Sequence, residues 1–88
     1  MGDAAVAMMA RTYKVVWQVE IDFDWSTWLD YPADQNRRIE AAWQRMDKRV
    51  VVGSTEWSDG WLVDLDQMVQ IGEQGTRRRI RRALITNT

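Results

Sequence analysis

Eighty-eight residues are one domain's worth of chain, too few for a second core, and a domain of this size buries only roughly 60–65% of its unfolded surface. Six tryptophans, each taking on the order of 200 Å² out of water when buried, are therefore a large part of what can hold it together. Cysteine and histidine are absent, which excludes disulfide staples, thiolate nucleophiles, imidazole bases and the usual zinc ligand sets, and the net charge of −1 conceals a −6 balance over residues 1–76 (7 basic, 13 acidic) against five arginines and no acid in residues 77–88.

The opening MGDAAVAMMA carries Asp3 where a signal peptide wants positive charge, and its apolar run is too short to span a bilayer. Val6 stands where a myristoylation pattern needs Ser or Thr. Residues 1–10 are expected to be a flexible tail and residues 11–85 a single domain. Without cysteine, targeting signal or membrane anchor, an intracellular setting, cytoplasmic or nuclear, is expected.

From Val15 to Phe23 the chain alternates: Val15, Trp17, Val19, Ile21 and Phe23 share one face, and Val16, Gln18, Glu20 and Asp22 the other, which predicts a half-buried strand. Asp24 to Thr27 predict a turn and Trp28 to Tyr31 a second strand, so the two form a hairpin. Pro32 ends it. The spacing of Ile39, Ala42, Trp43 and Met46 then predicts a helix over about 33–46, with Asp34 or Asn36 as its cap. KRVVVGS, residues 48–54, predicts a strand broken by Gly53, and Asp59-Gly60 a tight turn. In WLVDLDQMVQ, residues 61–70, Trp61, Val63 and Leu65 alternate with Leu62, Asp64 and Asp66, which predicts another strand. IGEQGT is a loop, and RRRIRRALI a last strand with Ile80 inward and Arg78 and Arg82 on its face. The fold class is α+β, a curved, mainly antiparallel sheet of about six strands packed on one α-helix.

These landmarks, in this order, resemble the WWE domain. Trp17 comes first, then W-x-x-Y at Trp28 and Tyr31, then I-E-x-A-W from Ile39 to Trp43 with Glu40. The second half agrees through W-x-V-D-L-x-x-M-x-Q from Trp61 to Gln70 and T-R-R-R-I-R-R from Thr76 to Arg82. The resemblance covers about residues 13–83 and implies a half-barrel sheet wrapped on one helix. It also implies a non-catalytic reader of ADP-ribose-containing ligands, either the iso-ADP-ribose unit of poly(ADP-ribose) or a terminal ADP-ribose, of the kind that accompanies ubiquitin ligases and ADP-ribosyltransferases. Trp17, Trp28 and Glu40 are its structural signature.

Carried over position by position, the ligand contacts of the family's binders fall on Tyr31, Trp61, Gln70 and Arg78. Such a ligand needs flat walls for adenine, an amide that can donate and accept at the purine edge, and guanidinium charge for pyrophosphate. Tyr31 and Trp61 provide the walls, Gln70 the amide and Arg78 the fork, with Arg77 and Arg79 as supporting phosphate contacts. At position 61 the binders usually carry Tyr; the Trp here removes one hydroxyl hydrogen bond, worth about 0.5–1.5 kcal/mol or up to roughly tenfold in affinity. Basic residues that some binders hold beyond the last strand are also missing from ALITNT. No cofactor and no metal are implied.

Other readings of the same residues stand beside this one. Trp17, Trp28 and Trp43 are expected to be packing residues, Trp25 and Trp57 to flank turns, and Trp61 to lie between core and pocket mouth. Glu40 either hydrogen-bonds to the sheet or is solvated. The alternatives to a nucleotide reader are a protein-interaction module whose pocket no longer binds, and a polyanion binder working through the arginine strand. The acidic body disfavours nucleic acid as a partner, and no membrane is implied. The pairs Asp22/Asp24 and Asp64/Asp66 sit on polar strand positions or turns, so catalysis is not expected.

Overall fold

The computed structural model describes residues 13–21, 27–52, 61–72 and 75–86. The tail expected over residues 1–10, the turn at Asp24, the positions expected for Asp22, Phe23, Trp25, Gly53 and Trp57, and the Asp59-Gly60 turn lie outside these residues. Strand β1 spans Tyr13–Glu20, β2 Trp28–Asp30, helix α1 Ala33–Gln44, β3 Arg49–Val52, β4 Trp61–Asp64, β5 Val69–Ile71 and β6 Arg77–Thr86. The six strands form one open sheet in the order β2-β1-β6-β5-β4-β3, every neighbouring pair antiparallel. Helix α1 connects the two edge strands, β2 and β3, so it must cross the inner face of the sheet from side to side. The curved α+β half-barrel expected from the sequence is the observed architecture.

The alternation in β1 fixes what the helix meets. Trp17 and Ile39 are fully buried, and with Val19, Tyr31, Ala42, Val52, Val63, Leu65 and Ile80 they make the core between α1 and the sheet. Truncating a buried residue of this kind to alanine costs about 2–5 kcal/mol. The other face of β1 is less polar in its surroundings than its sequence predicts, because Val16 and Glu20 are also buried there. Among the described residues, Glu20 Oε2 has no hydrogen-bond partner.

Three sequence expectations are corrected. Neither Asp34 nor Asn36 caps α1, which starts behind Pro32 with no side-chain cap. Asn36 is instead drawn to β1: its Oδ1 accepts the Trp17 N–H at 2.6 Å and its Nδ2 donates to the Val15 carbonyl at 3.1 Å. Strand β2 is too short to pair with this part of β1, and the asparagine amide has the donor and acceptor of a peptide group, so it continues the ladder.

Residues 61–70 are two strands rather than one. The buried Asp64 carboxylate accepts the backbone N–H groups of Asp66 and Gln67, both at 2.9 Å, and this local turn folds the chain back on itself. Met68, in the left-handed region at φ 58°, completes the reversal. The carboxylate considered as half of an acid–base pair is thus consumed by a turn.

The apolar stripe of α1 is buried only at Ile39 and Ala42; Trp43 is 40% and Met46 88% exposed. The helix ends two residues before the expected position. Met46 adopts φ 63°, its N–H bonds to the Trp43 carbonyl and the Asp47 N–H bonds to the Ala42 carbonyl, the two hydrogen bonds of a Schellman ending.

Candidate functional site

Tyr31 follows β2 directly, and its backbone N–H donates to the Trp17 carbonyl at 3.0 Å. That bond and the following Pro32 turn its ring into the sheet, where 7% of the residue stays exposed. Its hydroxyl donates to Gln70 Oε1 at 2.5 Å, and burial pushes the phenol pKa well above its ordinary value. The hydroxyl is therefore a neutral donor at any physiological pH.

Gln70, in the middle of β5, stands opposite Val63 of β4 on one side and Arg78 of β6 on the other. Directly paired residues share a face, so Gln70 and Arg78 lie side by side on the inner face. Trp61 is two residues before Val63 on that same face, diagonal to Gln70 and 36% exposed. The Arg78 guanidinium reaches from β6 to the end of the neighbouring β1: Nη1 donates to the Ile21 carbonyl and, at 3.4 Å, towards the Glu20 carbonyl.

The four candidate residues thus come from the end of β2, from β4, β5 and β6: Tyr31 bonds to Gln70, Gln70 is paired with Arg78, and Trp61 stands diagonal to Gln70. Arg77 and Arg79 do not join them. Alternation puts both on the outer face, where Arg77 Nη1 donates to Gln67 Oε1 at 2.9 Å and Arg79 stands opposite Val69. They can act on a ligand in this site only through the field.

The sequence signature forms a second cluster. Glu40 Oε1 accepts from the Trp17 indole Nε1–H at 2.8 Å and from Arg82 Nε at 3.0 Å, while Oε2 accepts from Arg82 Nη2 at 2.8 Å and Gln44 Nε2 at 2.7 Å. The Arg82 fork, more than the other donors, lowers the Glu40 carboxyl pKa to about 2, and Glu40 in turn raises that of Arg82. Trp43 is not core as expected but stands edge-on to Trp17 at 5.5 Å, with Arg82 6.0 Å from its ring centroid. Sequence reasoning missed Arg82; its place on the Ile80 face, one pleat beyond, was the available signal. Trp28 packs on the hairpin's outer face, where the Arg81 guanidinium lies 4.2 Å from its ring centroid. Beside it Arg81, Gln18 and Asp30 form a hydrogen-bonded row across β6, β1 and β2.

The sequence profile of the WWE domain matches residues 15–82, from the core face of β1 to Arg82. The chain belongs to the WWE domain family. Among curated proteins no relative matches it significantly. The family is known for protein interaction and ADP-ribose recognition, and its domains are generally non-catalytic binding modules. In this WWE domain the family's tryptophan and glutamate are tied by the Trp17–Glu40 hydrogen bond. Among the described residues, no group of acidic side chains could hold a metal ion, and no helix is long and apolar enough to cross a membrane.

Proposed function

We propose that this WWE domain is a non-catalytic reader of ADP-ribose-containing ligands, and that Tyr31, Trp61, Gln70 and Arg78 form its site. The observation that carries the proposal is the Tyr31–Gln70 hydrogen bond beside Arg78, which gathers an aromatic wall, an amide and a guanidinium from three separate stretches of chain. Tyr31 orients the Gln70 amide by donating to its oxygen. The amide's Nε2 carries the N–H donors that a purine nitrogen accepts. Trp61, at the open rim, supplies a face on which adenine stacks. Arg78 brings a planar guanidinium, the charge and fork geometry that suit a pyrophosphate oxygen. Arg77 and Arg79, on the outer face, attract the polymer at a distance.

The test is calorimetric titration of ADP-ribose and of iso-ADP-ribose into the domain at physiological and at high salt. One-to-one binding that persists at high salt and is lost in Gln70→Ala supports the reading, and the preferred ligand separates terminal from internal recognition. Binding that vanishes at high salt and ignores Gln70→Ala would assign the activity to the arginine strand as a general polyanion binder. Silence from both ligands with a folded domain would leave protein interaction as its function, with Trp61 as the residue that closed the pocket.

A further inference from the structure

A glutamine amide is a symmetric reader. Half a turn about its last side-chain bond exchanges oxygen and NH2, so the same residue can donate where it accepted before. Purines divide into two classes at the edge such an amide reads. A 6-amino purine, adenine, sets the N1 lone pair beside an amino group that donates; a 6-oxo purine, hypoxanthine, sets an N1 proton beside a carbonyl that accepts. A glutamine free to turn over pairs equally well with either class.

Gln70 is not free to turn over. Its Oε1 accepts the Tyr31 hydroxyl at 2.5 Å, and among the described residues its Nε2 has no partner and the hydroxyl has no other acceptor. Turning the amide would present Nε2 to the hydroxyl oxygen, which can accept, but the phenol proton would then be left without an acceptor in a residue only 7% exposed. Burial also keeps that proton in place, since it disfavours the phenolate.

Neither side chain can relieve this by moving away. Tyr31 is fixed by its backbone bond to the Trp17 carbonyl and by Pro32 behind it, and Gln70 sits in β5 between Val63 and Arg78. An amide oxygen has two lone pairs, of which Tyr31 occupies one. What is left to a ligand is one acceptor site and the Nε2 donors, in an order that the hydroxyl sets.

We infer that Tyr31 is a specificity-determining residue of this site: by donating to Gln70 Oε1 it fixes the amide as donor to N1 and acceptor from the 6-amino group, so that the site takes adenine and rejects a 6-oxo purine on the same diphosphate ribose. The inference rests on the nucleotide reading and adds to it the feature of the base that is read. Specificity here is the difference between two otherwise identical ligands, so charge and stacking, which both share, cancel.

The test is calorimetric titration of ADP-ribose and of inosine diphosphate ribose, which differs from it only at C6 and N1, into the parent domain, Tyr31→Phe and Gln70→Glu. The parent is expected to favour ADP-ribose by about tenfold, the worth of one hydrogen bond set against an unpaired group. Tyr31→Phe keeps the buried ring but frees the amide, and should bring the two affinities to within about twofold. Gln70→Glu offers acceptors alone and should reverse the preference towards the N1 proton of hypoxanthine; its repulsion of pyrophosphate weakens both ligands alike and leaves the ratio readable. The glutamate variant carries the test if Tyr31→Phe does not fold. No preference in the parent, an unchanged ratio in Tyr31→Phe, or a retained preference for ADP-ribose in Gln70→Glu would each overturn the inference and leave the nucleotide reader standing. Absence of binding by both ligands to the folded parent would overturn the two together.

Discussion

Glu40 accepts hydrogen bonds from Trp17, Arg82 and Gln44, and so ties the helix to β1 and β6 through one carboxylate. Because its pKa is lowered in the folded state, the stability it contributes is complete above its ordinary value of 4.5 and is lost as pH falls towards about 2. Thermal melts between these limits should show the parent domain losing stability with acid more steeply than Glu40→Gln, which lacks this titration; parallel curves would disprove the assignment. At position 61 the tryptophan has the wall but not the hydroxyl of the usual tyrosine. Trp61→Tyr is therefore expected to strengthen ADP-ribose binding by up to roughly tenfold, measured by calorimetry, and a weaker complex would mean that the indole ring itself makes the better contact. Glu40 and Gln70 were legible as candidates only through the family pattern. Periodicity alone placed Glu40 off the helix's apolar stripe and Gln70 at a strand's end, because a one-dimensional pattern does not show which distant side chain a polar group will meet.

The elements show where local rules yield to partners. Asn36 looks like a helix cap, but β1 presents an unpaired N–H and C=O across from the first turn of α1, and the amide goes to them. Asn36→Ala should cost about 1–3 kcal/mol by leaving both groups unsatisfied, a loss that denaturant melts measure; a change below a few tenths would show that water replaces the amide. Alternation in WLVDLDQMVQ continues through a chain reversal, because Leu65 stays buried while Asp64 ties up the N–H groups of the turn. An aspartate followed by three residues without glycine gives little sign of a turn, and the sixth strand was hidden in that run. At the helix end, Met46→Gly should raise stability by about 1 kcal/mol, since glycine adopts φ 63° without strain. Denaturant melts measure the gain, and an unchanged midpoint would show that Met46 holds this conformation without strain.

Over the whole molecule, linking the edge strands through the helix makes a closed barrel unnecessary, since α1 covers the inner face that closure would otherwise protect. The edges that remain are short: β2 has three residues and β3 four, beginning at Arg49. Charge is also divided along the sequence, with a −6 balance over residues 1–76 against five arginines in residues 77–88. Poly(ADP-ribose) should therefore associate more slowly as salt shortens the Debye length from about 10 Å at 0.1 M to about 3 Å at 1 M. The Arg77→Gln, Arg79→Gln double variant should lose much of that salt dependence in stopped-flow association while its dissociation from free ADP-ribose stays unchanged. A faster dissociation would instead place one of these arginines in direct contact with the ligand.

Alternation and helical spacing were enough to determine every strand but β5, the single helix and the core positions Trp17, Val19, Ile39, Ala42, Val63 and Ile80, because burial against one partner layer imposes those periods on the sequence itself. Only the tertiary structure decided that Tyr31 meets Gln70, that Arg82 meets Glu40, that Arg77 and Arg79 face away from Arg78, and that Trp43 and Met46 stay in water. Each of these depends on the register between strands distant in sequence and on where the helix stops above them. A shift of one residue in that register would exchange the two faces of β6, and the residue types in the strand would be the same.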